Sequence, residues 1–170
     1  CVRRHLSDSL ILSAMQVDKN RAVQHLMDLL AIPGPSGQEG EVAQVVRRKL
    51  LEAGCKKSWI REDDAHRRLG PGFTVGNLIV KIPGTRRATR RMFCGHMDTV
   101  PLCRGAVPVR RGNRIVSKGN TGLGADNRTA VACVVTLAEM LMNHNLSRPP
   151  LTLLFTVGEE NGLNGAKAVR

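Results

Sequence analysis

The sequence predicts an α/β fold in which a mixed, mostly parallel sheet is sandwiched between helices. Amphipathic helical segments alternate with short apolar strands along the chain, which is the pattern of this class. Of the 170 residues, 42% are hydrophobic, enough for one domain with a substantial core. Polar and acidic residues follow several candidate strands, at the end of the sheet where ligands bind in such folds.

The N-terminal part of the chain is predicted to form two helices that pack together. Asp18 is a candidate N-cap for the first, whose apolar residues recur at three- and four-residue spacing until the turn-forming residues 32–37. Ser36 and Glu39 then have the spacing of a capping box, and a second amphipathic helix continues to Gly54.

Short strands are predicted beyond this point, separated by turns that contain Pro and Gly. The clearest of them occupy residues 77–82, 91–95, 113–117 and 151–157. Residues 61–72 are predicted to be a charged loop. Residues 126–142, rich in Ala, Val and Leu, predict a largely buried helix, and residues 162–170 begin another.

The net charge of +12 raises the possibility of binding to nucleic acid, because clustered Lys and Arg neutralise phosphates. The basic residues are scattered, however, and aromatic residues make up only 2% of the chain, so platforms for base stacking are nearly absent. We therefore predict a solvated basic surface and no nucleic-acid partner. The apolar stretches are too short or too interrupted to cross a bilayer, so no membrane association is expected.

The cysteines indicate the compartment. They are five in number and include no CxxC pair, which argues against a disulfide framework or a thiolate zinc site and favours a reducing cytoplasm. Cys94 and Cys133 lie in apolar runs and are expected to be buried.

The pair Glu159 and Glu160 follows the last strand directly after Gly158. Adjacent carboxylates disfavour each other's ionised form unless a cation shares the site. An exposed acidic turn is the simpler interpretation of the pair in isolation. With a metal ion, one glutamate would bind the ion and the other would take a proton from the activated water.

Two further acidic positions support a metal ion. His96 and Asp98 follow a candidate strand, and residues two apart in an extended segment point to the same side. Asp126 follows the glycine-rich residues 119–124, which allow the backbone to approach a ligand closely. Each motif also has a structural interpretation, since Asp126 could simply stabilise a helix N-terminus. A metal ion explains all the placements together.

These motifs resemble, in order and spacing, those of the dizinc exopeptidase superfamily, which includes peptidase T, carboxypeptidase G and the aminoacylases. They occupy residues 95–101 (GHMDTVP), 124–131 (GADNRTAV) and 155–163 (FTVGEENGL). Residues 29–40 and 76–79 are most similar to the peptidase T-like branch, which removes N-terminal residues from short peptides.

The resemblance implies roles for five residues. His96 would bind one zinc, Asp126 would bridge both zincs and Glu160 would bind the other. Glu159 would be the general base, and Asp98 would steady His96. The implied cofactors are two Zn²⁺ ions, although Co²⁺ or Mn²⁺ suits a similar set of ligands.

The chain departs from the usual pattern beside the bridging ligand. The usual second aspartate is Asn127, the usual lysine is Arg128, and the small pair that often follows is Thr129 and Ala130. These changes keep the ligand but alter its hydrogen-bonding surroundings.

We interpret residues 1–17 as a flexible N-terminal leader and residues 18–170 as the N-terminal portion of a metallopeptidase catalytic domain. The resemblance implies that further ligands and a dimerisation domain lie beyond this portion, so we expect the 170-residue chain to be inactive and the full-length protein to be a homodimer. The predicted activity is zinc-dependent removal of N-terminal residues from short peptides in the cytoplasm. The alternatives are an N-acyl amino acid amidohydrolase of the same superfamily and a non-catalytic basic binding module.

Overall fold

The computed structural model describes residues 17–144 and 146–170, which contain five α-helices, two short 3₁₀ helices (Lys57–Trp59 and Pro101–Cys103) and six strands. The helices are α1 (Lys19–Leu30), α2 (Gly40–Glu52), α3 (Ala65–Leu69), α4 (Ala125–Asn143) and α5 (Asn164–Lys167). The strands are β1 (Ile60–Glu62), β2 (Leu78–Ile82), β3 (Arg91–His96), β4 (Pro108–Arg111), β5 (Arg114–Ser117) and β6 (Leu151–Thr156). The predicted leader, apart from Val17, lies outside the described residues.

Four strands form one mixed sheet in the order β1-β2-β6-β3, flanked by helices. The pairs β1–β2 and β2–β6 are antiparallel, whereas β3 and β6 are parallel. The mixed α/β fold is confirmed, but parallel pairs are not the majority in this sheet. The parallel pair forms because α4 returns the chain to the end of the sheet at which β3 begins, so that β6 runs in the same direction as β3. Strands β4 and β5 form a separate hairpin.

The core lies between the sheet and the helices. Helix α1 packs against α4, and α4 packs against β3. Side chains that are completely buried in this core include Leu29, Val46, Leu78, Val80, Val131, Leu153 and Phe155. Among the described residues, no helix combines the length and the apolarity needed to cross a bilayer.

The local signals at the first helix are confirmed. Asp18 is the N-cap of α1, and its Oδ1 accepts a hydrogen bond from the backbone N–H of Arg21 at 2.9 Å. Such a bond satisfies one of the free donors at the start of a helix.

Two other predictions are wrong. Residues 61–72, expected to be loop, contain most of β1 and all of α3, because pairing with β2 orders a segment that has little apolar pattern of its own. Cys94 and Cys133, expected to be buried, are exposed free thiols. Cys94 lies in β3, which is an edge strand of the described sheet. The position of the strand in the sheet, and not the hydrophobicity of its residues, therefore decides the exposure of Cys94.

Candidate metal centre

The parallel pairing of β3 and β6 brings two of the sequence motifs to the same end of the sheet. His96, the last residue of β3, is in register with Thr156, the last residue of β6. The backbone N–H of Met97 donates to the carbonyl of Thr156 at 2.8 Å and extends the pairing by one residue. The glutamates that follow β6 therefore lie beside His96.

Four side chains with metal-binding atoms converge here. One ligand atom each from His96, Glu159 and Glu160 lies within 4.8 Å of the others. His96 Nε2 is 3.7 Å from Glu159 Oε2 and 3.2 Å from Asp126 Oδ1. Asp126 reaches the group from the start of α4, with 83% of its side chain exposed. The predicted ligands are thus neighbours, although they are up to 64 positions apart in the sequence.

Asp98 lies beneath this group and is completely buried. Its Oδ1 is 3.3 Å from His96 Nδ1 and accepts the backbone N–H of Glu159 at 3.0 Å. Its Oδ2 accepts the backbone N–H of Glu160 at 3.0 Å and the hydroxyl of Ser36 at 2.6 Å. Burial alone would raise the pKa of Asp98, but these bonds outweigh burial and lower it to about 2. The carboxylate is therefore a charged anchor for both the imidazole and residues 158–160 after β6, which we call the glutamate turn.

The surroundings are strongly negative. Burial would lower the pKa of His96, but the hydrogen bond and charge of Asp98, together with Glu159 and Asp126, raise it to about 9. Burial and the three neighbouring carboxylates raise the pKa of Glu160 above its ordinary value, against the opposing effect of His96. Carboxylates that favour a proton on an imidazole also favour a divalent cation at the same place.

The donor set fits a metal ion. One imidazole and several carboxylate oxygens are the ligands that Zn²⁺ accepts, and Mn²⁺ and Co²⁺ accept them as well. His96 Nδ1 lies 3.1 Å from the carbonyl of Asp98, so the ring is held with Nε2 toward the carboxylates. Metal-binding histidines are commonly oriented in this way through their other nitrogen.

The predicted capping box is wrong, and both of its residues serve the site. Helix α2 begins at Gly40 with Glu39 at the N-cap position, and no side-chain bond caps it. Ser36 donates to Asp98 instead. Glu39 Oε1 accepts the backbone N–H groups of Gly37 at 2.9 Å and Gly158 at 2.8 Å. The spacing of Ser36 and Glu39 suggested only a local capping role. The sequence signal for a role in the site was that both residues lie in residues 29–40, which resemble the peptidase T-like branch.

The two residues after Asp126 also have structural roles. The backbone at Asp126 and Asn127 is not helical, and the side chain of Asn127 accepts the N–H of Ala130 at 3.3 Å, where the regular helix starts. Arg128 is directed inward and donates to the carbonyl of Leu29 at 2.9 Å. The unusual residues at these positions therefore shape the entry of α4 and the interior beneath the site.

Comparison with known proteins gives a family match and several relatives. A family model described as "Peptidase family M28" matches residues 77–170, which include all the candidate site residues. The cytosol non-specific dipeptidase of Escherichia coli is 28% identical over 84% of this chain and 30% of its own length.

Two solved structures resemble the fold closely. The aminopeptidase PepT from Bacillus cereus is 33% identical, with a TM-score of 0.82 over 91% of this chain and 40% of its own. A tripeptidase from Staphylococcus aureus is 25% identical, also with a TM-score of 0.82, over 91% of this chain and 40% of its own. The chain thus spans less than half the length of these proteins, and the region it spans contains the carboxylates and the imidazole described above.

Proposed function

This chain belongs to peptidase family M28, and from that premise we propose that it forms part of the active site of a metal-dependent aminopeptidase acting on short peptides. The observation that carries the proposal is the convergence of ligand atoms from His96, Glu159 and Glu160 within 4.8 Å at the ends of two adjacent parallel strands. Asp126 completes a group with enough donors to share between two ions, for which we propose Zn²⁺.

The residues divide the work of hydrolysis. When bound, a divalent ion supplies Lewis-acid chemistry, in that it polarises the scissile carbonyl and acidifies water. His96, Asp126 and Glu160 would hold the two ions, with Asp126 shared. Glu159, whose side chain is 35% exposed, can reach solvent and take the proton from the attacking water. The same carboxyl group would then return the proton to the departing amine nitrogen.

Asp98 contributes by position. Its carboxylate faces His96 Nδ1 and leaves Nε2 free to face the ions. It also accepts the backbone N–H groups of both glutamates, so it fixes the spacing between the proposed base and the proposed ligand. A base must lie within hydrogen-bond reach of the proton that it takes, so this spacing bears directly on activity.

The substrate class rests on the relatives. PepT is described as an aminopeptidase, the S. aureus protein as a tripeptidase and the E. coli protein as a cytosolic dipeptidase. We therefore propose short peptides as substrates and the cytoplasm as the location, and homodimerisation of the full-length protein stays a prediction. From the described residues each ion would have two protein ligands, whereas catalytic zinc sites keep three, so we predict little or no turnover by the 170-residue chain alone.

Metal titration tests the assigned roles. We expect the chain to bind Co²⁺ and develop visible absorption, and Glu160→Gln to weaken binding by about tenfold or more because a ligand is lost. Glu159→Gln should leave the affinity close to wild type, because this residue is assigned to proton transfer. The matched control is Glu41→Gln, an exposed glutamate on α2. Equal weakening by Glu159→Gln and Glu160→Gln would contradict the division of roles.

The substrate class has its own test. Leucyl-glycyl-glycine added to the Co²⁺-loaded chain should shift the absorption bands, because a peptide at the site changes the surroundings of the ion. N-acetyl-leucine, offered in parallel, represents the amidohydrolase alternative and should shift them less. A larger shift with N-acetyl-leucine would favour that alternative, and a chain that binds no Co²⁺ would contradict the proposed function.

A further inference from the structure

Glu39 is a completely buried carboxylate that joins two loops of the site. Its Oε1 accepts one hydrogen bond from the backbone N–H of Gly37 and another from that of Gly158. The second bond crosses 119 positions of the sequence and ends on the residue immediately before Glu159. Glu39 therefore holds the start of the glutamate turn against the loop that precedes α2.

The same two loops also meet at Asp98. The hydroxyl of Ser36, from the loop before α2, and the backbone N–H of Glu160, from the glutamate turn, both donate to Asp98 Oδ2. Two buried carboxylates thus bind the same pair of loops, Asp98 on the side of His96 and Glu39 on the side of Gly158. Charge repulsion between Asp98 and Glu39 contributes to raising the pKa of Glu39, although burial is the largest cause.

Arg128 is buried beside the turn that precedes α2. Its side chain is among the most completely buried in the protein, and its guanidinium donates to the carbonyl of Leu29. Burial lowers the pKa of Arg128 to about 10, against the opposing effect of the negative charges of Asp98 and Glu39. Among the described residues, Arg128 Nε and Nη2 and Glu39 Oε2 are buried polar atoms without a hydrogen-bond partner.

The backbone makes room for this guanidinium. A Cβ atom at Gly34 would lie 2.6 Å from Arg128 Nη2 and 2.8 Å from a methyl carbon of Val42. The carbonyl of Gly34 also accepts the backbone N–H of Thr99 at 3.0 Å. The turn that contains Gly34 is therefore bonded to the segment that directly follows Asp98. The arginine that stands in place of the usual lysine is thus matched by a glycine in the neighbouring turn.

We propose that Glu39 is a positioning residue for the metal centre, because it holds the Glu159–Glu160 turn through the amide of Gly158. The inference deepens the proposed function and rests on it. The side chain of Glu39 is not assigned contact with the metal or the substrate.

Amide hydrogen exchange tests the hold on the turn without any metal. Glu39→Ala removes the acceptor, so exchange at Gly37 and Gly158 should accelerate on the order of tenfold, while the amides of β6 keep their protection. Glu39→Gln keeps a carbonyl oxygen as acceptor and should restore slow exchange. The control is Glu41→Ala, on the exposed face of the same helix. Unchanged exchange at Gly158 in Glu39→Ala would overturn the proposal.

Co²⁺ binding tests the consequence for the site. We expect Glu39→Ala to weaken Co²⁺ binding by about 10- to 100-fold and to alter the absorption spectrum, as loss of a residue that orients ligands does. Glu39→Gln should recover most of the affinity. Wild-type affinity and spectrum in Glu39→Ala would overturn the positioning role. If the wild-type chain itself binds no Co²⁺, the proposed function fails, and hydrogen exchange still decides whether Glu39 holds the turn.

Discussion

Asp98 shows how one side chain can serve two motifs. Its two oxygens accept the backbone N–H groups of Glu159 and Glu160 and face His96, so the proposed base, the proposed ligand and the imidazole share one anchor. The sequence identified His96 and Asp98 as a pair pointing to the same side. The bonds from Asp98 to the distant glutamate turn depend on the parallel pairing of β3 and β6, which two-residue spacing does not reveal.

Asp98→Asn should lower the pKa of His96 from about 9 toward its ordinary value of 6.5, because the carboxylate that raises this pKa most is lost. The new amide also places a donor against an N–H or O–H group, which should weaken metal binding by about 10- to 100-fold. An NMR titration of the metal-free chain measures the pKa, with His96→Gln to assign the resonance. Ser36→Ala, which leaves the charge in place, should move the pKa much less. An unchanged titration in Asp98→Asn would show that Asp98 does not govern His96.

Three helices of the fold are joined by a second charged cluster, remote from the motifs. Buried Lys49 on α2 donates to Asp28 on α1 at 2.5 Å and to His25 Nδ1 at 3.2 Å. Because an ammonium group has only donors, Nδ1 of His25 accepts and Nε2 donates to Glu139 on α4 at 2.7 Å. Burial would raise the pKa of Asp28, but the hydrogen bonds from Lys49 and Gln24 outweigh it and lower that pKa.

Lys49→Met should destabilise the protein by about 1–3 kcal/mol, because it leaves His25 Nδ1 buried without a donor and removes the link between α1 and α2. Urea unfolding followed by circular dichroism measures the loss. The control is Lys57→Met, which makes the same change at an exposed position. A Lys49→Met protein as stable as the Lys57→Met protein would show that the cluster adds nothing to the packing of the helices.

The charge distribution of the whole molecule governs how its stability depends on pH. Folding raises the pKa of His96 from 6.5 to about 9, so its protonated form favours the folded state fully below pH 6.5, and this contribution is lost as the pH rises through about 9. Folding lowers the pKa of Asp98 from 3.8 to about 2, so its contribution is present above pH 3.8 and is lost as the pH falls through about 2. Asp28 and Glu139 shift in the same direction as Asp98.

The metal-free chain should therefore be most stable between the ordinary pKa values of Asp98 and His96, 3.8 and 6.5. Urea unfolding in the presence of a chelator, repeated from pH 2 to pH 9, measures the profile. His96→Gln should flatten the decline between pH 6.5 and pH 9 and leave an acid decline from Asp28 and Glu139. A His96→Gln profile that falls as steeply as wild type on the alkaline side would contradict this assignment.

The sequence by itself determined the main elements and the chemistry of the site. The hydrophobic pattern located α1, β2, β6 and the long helix α4, because each of these contributes apolar residues to the core. It also located β3, although the first four residues of that strand are exposed. The chemical identity of the motif residues was enough to predict a metal site, since a carboxylate or an imidazole keeps its ligand character in any fold. The proportion of parallel and antiparallel strand pairs and the exposure of Cys94 could not be predicted from the sequence, because pairing partners and strand order depend on the whole chain.

Tertiary structure decided the work of Ser36, Glu39 and Arg128. By spacing, Ser36 and Glu39 formed a capping box, and Arg128 was only a departure from the usual lysine beside the bridging ligand. In the fold, Ser36 donates to Asp98, Glu39 accepts the N–H of Gly158, and Arg128 lies buried and donates to the carbonyl of Leu29. Their partners are 62 and 119 positions away for Ser36 and Glu39, so local pattern carries no information about them. A buried polar side chain takes whichever partner the packed chain presents, because leaving it unpaired costs more than any local alternative offers.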